Sequence, residues 1–198
     1  MIGGVAPVVA VLAAAAVLYG MQRTTPLYSD ITAPIAVPGI QGERVDTEGF
    51  AIGVANVTLA RRIAFASFGS TQTYSTSGVW IIVEAAAEAK QESVALASAQ
   101  WLGRNGARYM LSQRLSMAPG FLGSERLEPG IPRPVLMIFE VPESQVSGGT
   151  LLIAQTALMP LLEEASIDMR NVDPGIIRPE MLLGRGNSQL PWTLEETR

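Results

Sequence analysis

From Met1 to Gln22 the chain carries no charged side chain, and the run MIGGVAPVVAVLAAAAVLYGMQ is dominated by Ala, Val and Leu. An α-helix rises about 1.5 Å per residue, so about twenty such residues cross a hydrocarbon core about 30 Å thick. The pattern predicts a transmembrane helix over residues 1–22. Tyr19 falls near its end, where an aromatic ring with a polar tip suits the membrane–water interface. Two other readings of this run stand beside the first. One is a cleaved signal peptide, for which the positively charged leading region is missing. The other is the core helix of a soluble protein.

The pattern changes at Arg23. Residues 23–44 hold Pro26, Pro34, Pro38, Gly39 and Gly42, which interrupt regular structure and predict an extended linker. Past it the apolar runs are short and β-like. Phe50 to Leu59 alternates in part, Arg61-Arg62 interrupts, and Ile63 to Phe68 either continues the strand or begins a neighbouring one. The polar stretch Thr71 to Gly78 reads as a turn. Val79 to Val83, VWIIV, is a near-continuous apolar run and the strongest central strand. A helix over Val83 to Ala99 competes with it, since Ala, Glu and Lys favour helix. Further strands are expected at Ser93–Leu102, Pro134–Val141, Thr150–Gln155 and Ser166–Met169, with a turn at Gly103–Gly106. Ala157 to Ala165 reads as a helical turn cut short by Pro160. About seven or eight short strands punctuated by Gly and Pro predict a mainly β domain over residues 45–170, an antiparallel sandwich of two sheets. Residues 171–198 contain Pro174, Pro179 and Pro191, and are expected to form an irregular strap without regular pairing.

Composition narrows the chemistry. With 18 acidic and 14 basic residues the net charge is -4, and the longest basic run is Arg61-Arg62, so no nucleic-acid partner is expected. The chain has no Cys and no His. Disulfides, Cys/His zinc sites, thiol nucleophiles and His-based triads are therefore excluded. Carboxylates, hydroxyls, arginines and the single lysine, Lys90, remain. Glu163-Glu164 with Asp168 and Asp173 could form an oxygen-ligand cation site, but a solvated acidic edge is the preferred reading. Glu84 and Glu88 share one face of a strand yet lie too far apart for a direct hydrogen bond. Asn56-Val57-Thr58 fits the glycosylation acceptor pattern, a triplet that arises often by chance. No catalytic, cofactor-binding or metal-binding residue is predicted, and no small-molecule substrate. Trp80 is expected in the core and Trp101 half-exposed beside a turn. Trp192, with Leu190, is the best candidate for a partner contact, with folding back onto its own domain equally open.

Four segments carry a resemblance: GVWIIVEAAAEA (Gly78–Ala89), SAQWLGRNGARY (Ser98–Tyr109), LEPGIPRPVLMIFEVP (Leu127–Pro142) and IDM (Ile167–Met169). Their order resembles the uncharacterised extracytoplasmic immunoglobulin-like domain family named after a telomeric-repeat-binding factor. In that family a Leu-x-Pro-Gly loop precedes a strand ending in Phe-Glu-Val-Pro. Leu127, Pro129 and Gly130 match the loop, and Phe139 to Pro142 match the strand end. The resemblance covers roughly residues 45–170 and implies an immunoglobulin-like sandwich behind a lipoprotein signal or one membrane helix. It implies no catalytic residue. Together these readings predict a single-pass cell-membrane protein, held in the lipid bilayer by residues 1–22. The β domain is expected on the periplasmic or extracellular side, contacting other membrane or envelope proteins. Accessory subunit of a larger membrane complex is the alternative.

Overall fold

The computed structural model describes residues 5–24, 33–67, 69–156, 161–170 and 172–197. They fall into two units, one ending at Ala33 and one running from Pro34 to Arg198. The first holds a single helix, α1 (Val5–Thr24). Pro7 lies in its first turn, where backbone N–H groups have no intrahelical acceptor and a missing donor costs little. The second unit contains β1 (Ile35–Ile40), β2 (Arg44–Asp46), β3 (Phe50–Ser67), β4 (Ser70–Ala89), β5 (Val94–Ala95), β6 (Ser98–Leu102) and β7 (Arg108–Met110). It continues through β8 (Arg126–Leu127), β9 (Arg133–Val141), β10 (Thr150–Ala154), β11 (Glu163–Asp168), β12 (Ile177–Arg185) and β13 (Trp192–Glu196).

Two sheets form the body. One has the order β1-β11-β10-β6-β7, and the other β13-β12-β3-β4-β9 with β2 paired to β3. Alternate residues of a strand face opposite sides. Ile52, Ile81, Val83, Met137 and Phe139 from the second sheet therefore meet Trp101, Leu151, Ile153, Ala165 and Ile167 from the first in one buried cluster. This is the interior of a β-sandwich. Most pairings are antiparallel, but β1 runs parallel to β11 and β12 parallel to β3. Both sheets are thus mixed.

The intervening positions of the second sheet are also buried. Ala60, Ile63, Phe65, Trp80, Ile82, Leu136 and Ile138 make a second cluster on its outer face. The cluster takes in Leu115 and Ala118 from the segment between β7 and β8, and Met181, Leu183 and Trp192 from β12 and β13 of the same sheet. This explains why Val79–Val83 is apolar without alternation, since both faces of that stretch are covered.

Two expectations need correction, and two readings left open are decided. The polar stretch Thr71–Gly78 is strand, pairing with Arg62 to Ala66, because polar alternation suits a half-solvated sheet as well as a turn. Arg61-Arg62 does not end β3; the ladder absorbs a register shift between Ala60 and Arg62 and continues. The helix over Val83–Ala99 is not formed, and β4 runs to Ala89. The domain exceeds residues 45–170: β1 lies inside the predicted linker, and β12 and β13 inside the predicted strap.

The strap is ordered because its prolines avoid the paired positions. Pro179 sits where β12 has only β3 beside it, since β13 pairs with Met181–Arg185 alone. Gly186 and Pro191 close the β12–β13 hairpin, with Gly186 N–H donating to the Pro191 carbonyl at 2.8 Å. A side chain at Gly186 would meet the Leu190 carbonyl oxygen at 2.0 Å, so only glycine fits there. The Asn187 carboxamide oxygen accepts from Gln189 N–H and Leu190 N–H, shaping the turn. Residues 25–32 of the predicted linker and 157–160 of the predicted helical turn lie outside the described residues; Glu163–Asp168 is strand.

Candidate functional site

Helix α1 has no ionisable side chain before Arg23 other than Tyr19. Its twenty residues rise about 30 Å. Pro7–Thr24 has a mean hydropathy of 1.3, with none of it buried. Val8, Val9, Val11, Leu12, Val17 and Leu18 all stand exposed. Arg23 folds back on the last turn. It donates to the Tyr19 hydroxyl from Nη2 at 2.7 Å and from Nε at 3.1 Å, with the guanidinium 5.3 Å from the ring centre. Thr24 Oγ1 donates to the carbonyls of Gly20 and Met21 in the last turn of the helix. An aromatic and an arginine clasped at one end of an apolar cylinder suit the interface of a bilayer.

At one end of the sandwich, Thr47, Glu48, Gly49, Phe50, Val94 and Glu163 line a cleft of about 270 Å³, together with Gln91, Glu92, Gln155 and Leu162. Its floor is apolar, with Phe50 buried and Thr47 tied to Phe50 through backbone and hydroxyl. Its rim is acidic. Glu163 accepts from the Glu48 backbone N–H at 2.5 Å. Among the described residues no Lys or Arg forms an ion pair with Glu48, Glu92 or Glu163. The lysine beside the cleft, Lys90, pairs instead with Asp46 at 3.1 Å, which also meets Arg44. Hydrogen bonds from Arg44 and then Lys90 hold the Asp46 carboxyl below its ordinary range.

Glu164 behaves differently. Being adjacent on β11, Glu163 and Glu164 point to opposite faces, so they do not form a joint site. Glu164 is 8% exposed, and burial pushes its carboxyl up, opposed by the positive charge of Arg108. Asp168 is paired with Arg170, and the Asp173 carboxylate accepts from Gly175 N–H. The four acidic residues considered for a cation site are thus dispersed. Glu84 and Glu88 do share a face, but Glu84 accepts from Trp192 and Asn56, and Glu88 from Arg44. Asn56, the glycosylation candidate, spends its side-chain amide on that Glu84 contact.

The three predicted contact residues divide. Trp192 is 1% exposed, donates from Nε1 to Glu84 Oε1 at 2.8 Å, and lies against Gly120. Trp101 is fully buried rather than half-exposed, donating to the Gln145 carbonyl at 3.0 Å, with its ring 6.4 Å from Phe139. Both belong to their own domain's interior and present no surface. Only Leu190, 41% exposed at the β12–β13 turn, remains available. The sequence reading missed the end cleft, whose lining comes from four separate stretches of chain with no shared spacing.

No protein-family model matches the chain, and no curated protein matches it. Among solved structures it is similar to an uncharacterised β-sandwich protein from Clostridium difficile 630, at 15% identity and a TM-score of 0.45, covering 69% of this chain and 96% of that one. The yjhA protein from Bacillus subtilis is similar at 12% identity and a TM-score of 0.47, covering 66% and 99%. A secreted protein from Mycobacterium tuberculosis, MPT63, is similar at 12% identity and a TM-score of 0.45, covering 67% and 98%.

Proposed function

We propose that this chain is a membrane-anchored protein-interaction module without catalysis, in which α1 spans the bilayer and the β-sandwich is held on the extracytoplasmic side. The observation that carries the reading is the bare apolar surface of α1. Each of its Val and Leu side chains forfeits about 1.5–3 kcal/mol if left in water. Lipid removes that cost along the whole cylinder, and the Arg23–Tyr19 clasp supplies one interfacial end. The resemblance to the extracytoplasmic immunoglobulin-like family points the same way and belongs to this proposal.

Expression of the full chain with alkaline phosphatase fused after Arg198 tests it. Phosphatase activity with the fusion retained in the membrane pellet after alkaline carbonate washing is the expected result. Activity released as a soluble shortened chain identifies α1 as a cleaved signal. A fusion retained in the membrane pellet but without phosphatase activity reverses the orientation, and Arg23 is the one residue in the flank that favours that outcome.

A further inference from the structure

We propose that the end of the sandwich carrying Ile35, Leu161 and Leu162 is a second membrane contact, resting on the zwitterionic surface of the bilayer that α1 crosses. The proposal rests on the anchoring read above and adds the face that the domain turns to lipid. Ile35 opens β1, donates its N–H to the Leu162 carbonyl at 3.0 Å and stands in register with Glu163. The start of the β1–β11 pair therefore brings the backbone of Ile35 beside Leu162, with Leu161 next in the chain, and the three residues are 52%, 37% and 63% exposed in that order. Leu161 is the only non-glycine with positive φ among the described residues, at 64°. A bulky side chain is disfavoured there, yet this one is held out in solvent rather than turned inward.

The occupant follows from the chain and the charge. Ile35 is itself part of the patch, and only residues 25–34 separate α1 from it, a reach of at most about 33–36 Å even when fully extended. This patch is consequently the part of the domain most tightly tethered to the bilayer surface. Tethering raises the effective concentration of the contact, so three side chains suffice where a free domain would need many. Beside Leu162 the cleft rim carries Glu48, Glu92 and Glu163. Among the described residues none of these carboxylates has a basic ion-pair partner, so they favour the ammonium groups of zwitterionic lipids and are repelled by anionic headgroups.

The chain lacks cysteine, so one introduced thiol is the sole labelling site. The full chain carrying Leu161→Cys with an environment-sensitive fluorophore is placed in phosphatidylcholine vesicles containing nitroxide-labelled lipid. Leu12→Cys in α1 and Ile131→Cys, an exposed aliphatic of the β8–β9 loop, serve as references. Immersion of an apolar face by about 5–10 Å should give quenching at Leu161 about twofold or more above that at Ile131. Replacing half the lipid with phosphatidylglycerol should reduce it. Because a label brings its own hydrophobicity, the same measurement is made with the label at Glu92→Cys, with and without Leu161→Ser and Leu162→Ser; the double serine chain should lose quenching. Strong quenching at Leu12 with Leu161 no different from Ile131 overturns the docking and leaves the anchor standing. Absence of quenching at Leu12 overturns the anchor, and the docking with it. Unchanged quenching at Glu92 in the double serine chain overturns the role of the leucines. Quenching at Leu161 that does not fall with phosphatidylglycerol overturns the preference for zwitterionic lipid.

Discussion

Trp192 decides whether the last stretch of chain is a domain element or an appendage. Its indole is 1% exposed within the outer cluster, among Leu136, Ile138 and Leu183, and its N–H meets Glu84. Trp192→Ala should cost about 3–5 kcal/mol, the range for deleting a large enclosed aromatic. The hydrogen bond to a carboxylate contributes to that figure rather than adding to it, because Glu84 keeps Asn56 as a donor. Trp192→Phe retains most of the packing and loses the donor, for which about 1–3 kcal/mol is expected. Ending the chain at Met169 removes Met181, Leu183 and Trp192 together. At about 1.5–3 kcal/mol each, that is roughly 5–9 kcal/mol, comparable with the entire stability of an ordinary domain. Urea melts of the full-length variants in mild detergent, followed by far-UV circular dichroism, measure all three. The expected order of midpoints is wild type, Trp192→Phe, Trp192→Ala, with the truncated chain lacking a cooperative transition. A loss below about 1 kcal/mol for Trp192→Ala, or a truncated chain melting with the wild type, would refute the assignment of β12 and β13 to the fold.

Phe139 is fully buried against Trp101, so Phe139→Ala should cost about 3–5 kcal/mol in the same melts, and a value under about 1 would contradict its placement between the sheets. Glu164→Gln should stabilise the protein at neutral pH. Burial raises the folded carboxyl above its unfolded value of 4.5, so the wild type loses stability as pH rises from that value through the folded one; melts from pH 3 to 8 should show the two chains converging only at the acid end. Gly120→Ala combines φ +72° with a new carbon 2.3 Å from the Trp192 ring, whereas Gly69→Ala has φ +81° and open space. The first should therefore lose clearly more than the second, whose cost is the backbone term of about 1–2 kcal/mol, and equal losses would argue against the packing of Trp192 on Gly120.

What the sequence made legible was local. VWIIV reads as a central strand because a run buried on both faces needs no alternation, and Trp80 to Val83 are fully buried. Phe139 and Val141 share a face opposite Glu140, as period two requires, and only the first pair enters the inter-sheet core. Thr71–Gly78 was illegible because its polar side chains reach solvent or the rim of the outer cluster, so no hydrophobic period marks a strand that is set by pairing to Arg62–Ala66. Trp192 was left between two readings for a related reason. Much of its surroundings comes from distant chain: Leu136 and Ile138 lie more than fifty positions away, Gly120 more than seventy, and its polar partner Glu84 is 108 away, separations that no window along the chain can register.

Proline carried the largest error and also the information to correct it. Prolines in residues 23–44 and 171–198 argue against strands only if a strand must be bonded on both sides. Pro38 lies in β1 and Pro134 in β9, each the last strand at one edge of its sheet. Pro179 lies in the part of β12 that β13 does not reach. Each therefore occupies a stretch with a neighbour on one side, where a missing donor can face away from the ladder. Read as markers of edges, the same residues predict where sheets stop, and they place Ile35, three residues before Pro38, at an exposed border. That border is where the aliphatic patch and the acidic cleft lie side by side, so the residues that obscured the limits of the domain also mark the face through which it meets lipid in the proposed arrangement.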